Sequence, residues 1–469
     1  MLRELGIFCF CLILGITIAK FGILSLAAFF LLVCFLAAAF LIFKNPLIGL
    51  VLVAFFLPFE KIGGVHLAGI NIRISQVLAI ITLLAWVIVS LERKKFVIRF
   101  PAPFVILILF LASNLVSIIF SLDINRAIAV FAFTVLVFLV ALLVTNLVKG
   151  SCDFEKIILA LFLGAGATSL FGIYQFVGDM IGLPQTLTLL SDRYIKDVLG
   201  FARVQSTAIE PLYFANFLLV PLGLMMVLIL NRVGRIKNWF LVATFFISFI
   251  AFSLTFSKGG FLALGMVVLA IMLFQLRFLF RRQNLPFLLG IILLLSIFAG
   301  TIIYASGRVA DFEKLVAKTI GIITGASIAE RLDASTKAIE AVASSPFFGI
   351  GPGNFGPFFA GFVSNPPDGG WAIVNNEYLE LLAETGIIGT LLFIAFLVAV
   401  FLRSYKILRE NQNRFGRALI LGLSIGLFGI LVQYLSFSTL YITHIWFFFG
   451  LLIAAQEWLL NKNQEESEC

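Results

Sequence analysis

Long apolar runs separated by short polar interruptions make up the chain from its beginning to its end. Most runs are about 20 residues long, the length that a helix needs to cross the hydrocarbon core of a bilayer. We therefore predict an all-α polytopic membrane protein with 12–14 transmembrane helices, a range that allows for the short first and third runs. The predicted helices cover residues 5–19, 22–43, 46–59, 72–91, 102–121, 126–148, 157–178, 208–231, 238–256, 259–276, 286–304, 380–402, 417–437 and 442–460.

Basic residues gather in every second polar interruption. If the N-terminus lies inside, most Lys and Arg fall on the inner side, and the short outer loops hold only Lys20, Lys61, Arg73, Arg126 and Lys258. This asymmetry marks the cytoplasmic face of a membrane protein. Both termini are therefore predicted to be cytoplasmic, with residues 461–469 forming a short tail.

Two predicted outer loops, 179–207 and 305–379, are much longer than the others. Long ordered loops are usually functional. The second loop contains "SIAERLDASTKAIEAVASS", in which Leu332, Ile339 and Val342 form one apolar stripe. The stripe predicts a helix that lies on the membrane surface or caps the bundle, so this large outer loop is expected to be partly helical.

The composition agrees with a lipid-embedded chain. Of the 469 residues, 62% are hydrophobic and 12% are charged, with a formal net charge of +9. In a membrane protein this excess of Lys and Arg reflects orientation, so it does not indicate a nucleic-acid partner. With two histidines, and five cysteines that fall in predicted spans or on the predicted cytoplasmic side, we expect no metal site, no cofactor and no disulfide framework.

Most predicted spans have interiors without charge. The stretch from Ala418 to Gln456, for example, contains no Asp, Glu, Lys or Arg. Proton- and ion-coupled transporters usually carry ionisable residues near the membrane midplane, where substrate and ion bind. The charges of this chain lie at the predicted outer rim, which favours chemistry at the outer membrane face over transport through the bundle.

Two motifs at the outer rim offer groups for an anionic substrate. In "GFARVQSTAIEPLYFANFLLVPL", Arg203 and Glu210 precede a span, and Glu210 is either a helix-start stabiliser paired with Arg203 or a general base. In "LTFSKGGFLALG", Ser257, Lys258 and Gly259 lie at a helix start, where backbone N–H groups suit a phosphate. The alternative for the second motif is a glycine hairpin with a snorkelling lysine.

The motif "SSPFFGIGPGNFGPFF" satisfies G-x-G-x-x-G through Gly351, Gly353 and Gly356. A dinucleotide site is rejected because no strand precedes the motif and Pro352 lacks the backbone N–H that is needed. We predict a rigid turn at the edge of the outer loop.

A third rim motif, "VNNEYLELLAETGIIGTLLFI", places Glu377, Glu380 and Glu384 on one helix face. Two of these carboxylates are expected to cap the helix start, and one is expected to act as a base. His66 and His444 are each interpreted as structural hydrogen-bonding residues.

Three stretches in this order resemble the O-antigen ligase and O-antigen polymerase family of bacterial membrane glycosyltransferases. They are "FSKGGFLALGM", "RLDASTKAIEAVASSPFFGIGPGNF" and "NNEYLELLAETGIIGTLLF". The likeness extends from about Arg203 to Gly450. We therefore predict a single membrane domain over 1–469, with N-terminal helices in 1–200 and an O-antigen ligase-like core in 201–450 that includes the outer loop 305–379.

The resemblance implies metal-independent transfer of a glycan from a polyprenyl-pyrophosphate carrier at the outer face of the bacterial plasma (inner) membrane. The acceptor would be a hydroxyl of a glycan or lipid, and the partners would be membrane lipid and other polysaccharide-assembly proteins. In the family, arginines hold the pyrophosphate and a histidine is the proposed base. Arg203 occupies one arginine region, Lys258 replaces a second arginine, and Asn375 and Asn376 stand where ligases carry His-Asn.

The candidate residues follow from these correspondences. Because an asparagine does not take up a proton at neutral pH, Glu210 or Glu377 is expected to replace the histidine base, which favours a polymerase-like member. Pyrophosphate binding is assigned to Arg203, Lys258, Ser257 and Gly259, the catalytic centre to Glu210, Glu377 and Asn375, and the acceptor side to Arg331, Gly351, Gly353, Asn354 and Asn376. The competing hypotheses are a flippase or transporter of lipid-linked glycan and a non-catalytic subunit of an envelope polysaccharide assembly complex.

Overall fold

The protein is a bundle of apolar helices. The computed structural model describes residues 23–60, 65–67, 70–94, 97–195, 202–279, 281–293, 296, 326–361, 371–438 and 440–461. In that part of the chain, nine helices are long and apolar enough to cross a membrane. The predicted all-α polytopic membrane fold is therefore confirmed, while the predicted helix 5–19 lies outside the described residues, as does most of 286–304.

The first half of the chain contains seven of the described helices and one small hairpin. The two strands, β1 (Val65–Leu67) and β2 (Ile70–Ile72), pair antiparallel in a loop. The helices are α1 (Ile23–Lys44), α2 (Pro46–Phe56), α3 (Ile74–Glu92), α4 (Ala102–Ser117), α5 (Ile124–Leu147), α6 (Ser151–Met180) and the short α7 (Gln185–Thr188).

The second half contains eight further helices and a helical stretch over residues 285–293. Short 3-10 turns occur at Ile118–Phe120, Asp192–Tyr194 and Arg282–Asn284. The helices are α8 (Pro211–Asn231), α9 (Asn238–Ser253), α10 (Lys258–Leu279), α11 (Ala326–Ser344), α12 (Phe355–Phe359), α13 (Glu377–Glu410), α14 (Arg414–Gln433) and α15 (Thr443–Leu460).

Local sequence explains where several helices begin. Asn45 accepts a hydrogen bond from the Leu47 N–H at 3.1 Å, and Pro46 occupies the first position of α2, where its missing N–H has no cost. Asp123 caps α5 in the same way by accepting from the Arg126 N–H at 3.0 Å. These polar caps lie at the interruptions between apolar runs, which is why the predicted helices fall close to the observed ones.

Helices α8 and α14 form the centre of the bundle and approach each other closely. A Cβ at Gly426 would lie 2.6 Å from Val220 Cα, and a Cβ at Gly422 would lie 2.9 Å from Leu224 Cα. The two glycines are four residues apart and so share one helix face. Small residues at this spacing let two membrane helices pack backbone against backbone, which compensates for the weak hydrophobic drive between helices in lipid.

The helix predicted in the second long loop is present as α11, and its packing face differs from the apolar stripe of Leu332, Ile339 and Val342. Ala334, Ala338 and Ala341 form the buried face, which packs against α13. Leu332 and Ile339 are 63% and 61% exposed. The alanines form the contact because their small side chains let α11 approach the neighbouring backbone, whereas longer side chains on this face would hold it away.

Helix α6 begins six residues earlier than predicted, because the polar segment at its start is helical. There, the Asp153 carboxylate accepts a hydrogen bond from the Lys149 N–H at 3.0 Å. The neighbouring Cys152 is disulfide-bonded, whereas the sequence was expected to contain no disulfide framework.

Candidate functional site

Helix α13 is broken within the membrane-spanning part of the protein. At Gly386 the backbone leaves the helical region, with φ of 66° and ψ of −172°. Residues 346–353, which we call the inserted loop, fill this break. The Ile387 N–H donates to the Pro346 carbonyl at 2.9 Å, and a Cβ at Gly386 would lie 2.3 Å from the Phe347 carbonyl oxygen. The loop therefore satisfies backbone groups that lipid would leave unpaired.

The carboxylate of Glu384 holds the inserted loop in place. It accepts hydrogen bonds from the Gly353 N–H at 2.8 Å, the Phe355 N–H at 3.2 Å and the Tyr441 hydroxyl at 3.3 Å, while its backbone carbonyl accepts from the Gly351 N–H at 3.0 Å. Burial raises the pKa of Tyr441 well above its ordinary value, and Glu384 raises it further, so the hydroxyl stays a donor. The G-x-G-x-x-G motif is thus a backbone cradle for a carboxylate of the same chain.

Two residues at the start of α5 secure the outer side of the inserted loop. The Asn354 side chain accepts a hydrogen bond from the Asp123 N–H at 2.7 Å. The Arg126 Nε–H donates to the Gly353 carbonyl, and its guanidinium lies 5.2 Å from the centre of the Trp371 ring. These contacts hold the glycine motif as an ordered turn against the start of α5, and Arg126 positions that turn.

A cavity of about 290 Å³ lies beside this loop, where the N-terminal ends of several spans meet. Helices α3, α5, α8 and α13 contribute residues from their N-terminal parts, and the segment before α15 closes the wall. Helix N-termini carry partial positive charge, so their convergence favours an anion in the cavity. The lining residues are Arg73, Gln76, Val130, Phe133, Tyr213, Glu377, Glu380, Ser438, Leu440, Tyr441 and Ile442.

Glu377 and Glu380 both line the cavity and bind segments outside α13. The Glu377 carboxylate accepts from the Leu440 N–H at 3.0 Å, and the Glu380 carboxylate accepts from the Val374 N–H at 2.9 Å. The cap of α13 is Asn376, whose side chain accepts from an N–H of the first turn at 3.2 Å. The expectation that two of the three motif carboxylates cap this helix was therefore wrong: they tie loops to the cavity wall.

A row of buried polar side chains leads from the cavity into the bundle. Arg73 lies 3.3 Å from the Glu60 carboxylate, and Glu60 lies 3.9 Å from His444 Nδ1. The His444 Nε2 pairs with the Asn216 side-chain oxygen at 2.8 Å, and the Asn216 amide donates to Gln433 at 2.9 Å. Because the Asn216 oxygen accepts, the proton of neutral His444 is on Nε2. This row fixes Arg73 at the cavity and supports the structural interpretation of His444.

Glu60 is a buried carboxyl group outside the spans. Burial raises its pKa, while the charge of Arg73 acts in the opposite direction. A buried carboxylate is costly unless a cation and hydrogen-bond donors compensate it. Arg73 supplies that cation, so one guanidinium serves both this buried acid and the cavity.

Arg203 is close enough for its charge to act on the Glu210 carboxyl group, but neither residue belongs to the cavity lining. The Arg203 Nε–H donates to the Thr255 carbonyl at 3.2 Å, and the guanidinium lies 6.0 Å from the Tyr194 ring centre. Burial raises the pKa of Glu210, whereas Arg203 and Arg193 lower it. Glu210 occupies the position before α8, one turn from the cavity residue Tyr213.

The Ser257–Lys258–Gly259 motif forms the start of α10, also at the cavity end of the bundle. The Ser257 hydroxyl is buried and accepts a hydrogen bond from the Gly260 N–H at 3.1 Å, so it acts as a helix cap. Lys258 is exposed. A Cβ at Gly259 would lie 2.1 Å from the Ser436 hydroxyl oxygen, so this glycine lets α10 contact the segment that closes the cavity.

The predicted acceptor-side residues occupy different places. Arg331 is exposed on α11, and its guanidinium donates to the Ser436 carbonyl at 3.3 Å. Asn375 adopts a left-handed conformation with φ of 57°, and its amide donates to the Ile373 carbonyl at 3.4 Å. Asn376 caps α13. The segment around Ser436 therefore joins the α10 start, α11 and the cavity wall.

Of the predicted catalytic and pyrophosphate residues, Glu377 lies in the cavity lining, and the others lie on neighbouring elements at the same end of the bundle. Sequence reasoning missed Arg73, Glu380, Tyr213 and Tyr441 as lining residues. For Arg73 a signal was present. It is an arginine in a short outer loop, where the positive-inside asymmetry leaves few basic residues.

Fold and site together define a multi-pass membrane protein with a charged cavity at one end of its spans. A family model described as O-antigen ligase matches residues 243–394, and this match supports assigning the chain to the O-antigen ligase family. All three landmark stretches lie inside the matched region, whereas the arginine region around Arg203 precedes it. No curated protein matches the chain. The assignment supports a membrane enzyme of the O-antigen ligase or polymerase type.

Proposed function

We propose that this protein transfers glycan from a polyprenyl-pyrophosphate donor to a sugar hydroxyl at the outer face of the bacterial plasma membrane, without a metal ion. The observation that carries the proposal is the cavity at the convergent helix N-termini, which combines Arg73 with Glu377 and Glu380 in a bundle otherwise poor in charge. The cation and the helix dipoles suit the pyrophosphate, and a carboxylate suits proton transfer.

In the proposed reaction, Glu377 accepts the proton of the acceptor hydroxyl. The acceptor oxygen forms a bond to the anomeric carbon of the donor sugar as the bond between that carbon and the pyrophosphate oxygen breaks. The electron pair stays on the polyprenyl pyrophosphate, where Arg73 and the helix N-termini stabilise the developing charge. A single displacement of this kind inverts the anomeric centre.

The remaining candidate residues surround this centre. We assign Arg203, Lys258, Ser257 and Gly259 to the approach of the pyrophosphate, because they lie on the elements that flank the cavity wall. Arg331 and the inserted loop border the acceptor side. Glu210 is the second base candidate, and its raised pKa suits a proton acceptor near neutral pH.

The test is transfer by the purified protein reconstituted with a polyprenyl-pyrophosphate oligosaccharide. We expect Glu377→Gln to lower the rate at least a hundredfold, within the range that general-base catalysis contributes. Glu380→Gln and Glu210→Gln report whether either carboxylate takes this role instead. The matched control is Glu92→Gln, which removes an exposed carboxylate from the other end of the bundle.

The products separate the competing functions. Longer glycans indicate a polymerase, and transfer to a different acceptor indicates a ligase. Movement of the donor across the bilayer without a new glycosidic bond would establish a flippase and overturn the proposal. Unchanged transfer in all three carboxylate variants would exclude the proposed chemistry at this cavity.

A further inference from the structure

A second cleft lies at the end of the bundle opposite the candidate site. It has a volume of about 420 Å³ and is formed by the first turns of α6 and by the loop and first turn that lead into α9. This is the end where basic residues gather, which the sequence predicts to be cytoplasmic. The cleft shares none of its lining with the cavity of the proposed reaction.

The mouth of this cleft is cationic. Among the described residues that line it, the charged ones are the cations Lys156, Arg235 and Lys237 and the carboxylate Glu155. Glu155 accepts a hydrogen bond from the Arg235 N–H at 3.1 Å and lies 3.9 Å from its guanidinium, so it anchors the loop. Lys156 and Lys237 are exposed. The balance of charge at the mouth is therefore positive, which favours an anionic ligand.

The wall of the cleft is apolar. Leu159, Ile236 and Phe240 line it below the cations, and Trp239 stands at the edge with 68% of its surface exposed. Tryptophan is enriched where membrane helices meet the headgroup region, because its ring is amphipathic. A small soluble anion would use the cations and leave this apolar wall uncovered, whereas a phospholipid would use both.

We propose that this cleft is a binding site for an anionic phospholipid. The phosphate lies between Lys156 and Lys237 beside the Trp239 ring, and an acyl chain follows the apolar groove between α6 and α9. Basic pockets between membrane helices on the cytoplasmic side recognise anionic headgroups in this way. The net positive mouth selects phosphatidylglycerol or a related anionic lipid over the zwitterionic phosphatidylcholine.

The first experiment measures lipid retention by native mass spectrometry. Purified protein in neutral detergent is incubated with equal amounts of dioleoyl phosphatidylglycerol and dioleoyl phosphatidylcholine. We expect the anionic lipid to be retained preferentially. In the double variant Lys156→Gln/Lys237→Gln, the ratio of anionic to zwitterionic lipid retained is expected to fall at least tenfold, because each cation raises binding of an anionic lipid roughly fivefold. Lys156→Arg/Lys237→Arg is expected to keep it.

The matched control is Lys44→Gln/Lys406→Gln, which removes two exposed cations from the same end of the bundle but away from the cleft. It is expected to retain the wild-type preference. If the control loses as much as the cleft variant, the preference belongs to the general surface charge and the proposal fails. Equal retention of both lipids by the wild type also overturns it.

The second experiment locates the lipid by fluorescence. Phosphatidylglycerol with brominated acyl chains quenches nearby tryptophan, so it is expected to quench the wild type more than brominated phosphatidylcholine does. Trp239→Phe is expected to remove this difference between the two lipids. A difference that persists in Trp239→Phe would place the lipid elsewhere and refute the cleft. Addition of glycerol phosphate is expected to leave the quenching unchanged, and displacement by it would show that a soluble anion suffices.

Discussion

The backbone N–H of Gly353 donates a 2.8 Å hydrogen bond to the carboxylate of Glu384, and this contact joins the inserted loop to the broken helix α13. The two residues come from the second and third family landmarks of the sequence. Their contact explains why a glycine motif and an acidic helix start occur together in a chain so rich in apolar residues. The carboxylate accepts hydrogen bonds from backbone N–H groups of the segment that fills the break, at Gly353 and Phe355.

Glu384→Ala is expected to destabilise the fold. It leaves the N–H groups of Gly353 and Phe355 without their acceptor, and each buried unpaired donor costs about 1–3 kcal/mol. The measurement is the apparent unfolding temperature in detergent at a fixed scan rate. Glu384→Gln keeps an acceptor oxygen and is expected to lose less. An alanine variant as stable as the wild type would show that the carboxylate does not hold the loop.

Gly353→Ala tests the close approach of the loop to α5. Gly353 has φ of 70°, and a Cβ there would lie 2.5 Å from Val130 Cγ2. Gly361→Ala is the matched control, because Gly361 also has φ of 70° but no atom of the described residues lies within 4 Å of the added Cβ. The control variant loses about 1–2 kcal/mol of folding free energy, because a residue with a Cβ is strained in this left-handed backbone conformation. Gly353→Ala adds a steric clash, so its unfolding temperature is expected to fall further than that of the control.

Much of the fold could be predicted from the sequence, because each apolar run of membrane length ends at a cap or a charged interruption. The break at Gly386 could not be, since the local sequence continues the helical pattern on both sides. Only the inserted loop, about 40 residues earlier in the chain, reveals why the helix opens there. The alanine face of α11 could not be recognised either, because its neighbours, α13 and Ile350 of the inserted loop, are distant in sequence.

The cavity lies at the end of the bundle where the sequence placed its candidate residues, and its lining includes residues that the sequence did not indicate. Glu377 was found because its motif is acidic and precedes an apolar run. Arg73 is separated from Glu377 by about 300 residues of sequence, and only the tertiary fold places both side chains in the lining of one cavity. Tyr213 and Tyr441 carry no sequence signal of their own, because tyrosines at span ends are common at membrane interfaces.

Glu60→Gln is expected to flatten the dependence of stability on pH. Because burial raises the pKa of Glu60 above its ordinary value of 4.5, the folded protein holds this proton more tightly than the unfolded chain. The stability that this proton contributes is therefore fully present below the pKa of Glu60 in the unfolded chain. It is lost as pH rises through the raised pKa of Glu60 in the folded protein. Apparent unfolding temperatures between about pH 4 and 8 measure this slope.

The control for this pH experiment is Glu340→Gln, which removes an exposed carboxylate on α11. It is expected to leave the slope unchanged. Glu210, whose pKa is also raised, contributes to the part of the slope that remains in Glu60→Gln. Identical slopes in the wild type and in Glu60→Gln would show that folding does not raise the pKa of the Glu60 carboxyl group.

Arg73 is expected to bind the donor, and its pairing with Glu60 determines how this can be tested. Removing Arg73 alone leaves a buried carboxylate without its cation, which destabilises the fold whatever the role of the arginine. The double variant Arg73→Gln/Glu60→Gln removes both charges together, and Glu60→Gln alone keeps the arginine.

A hydrogen bond to a charged group contributes about 1.5–3 kcal/mol, so the double variant is expected to raise the KM for the polyprenyl-pyrophosphate donor more than tenfold. Glu60→Gln is expected to keep that KM, and neither variant should change the KM for the acceptor. A double variant with the wild-type donor KM would confine Arg73 to the buried ion pair and leave the pyrophosphate to Arg203 and Lys258.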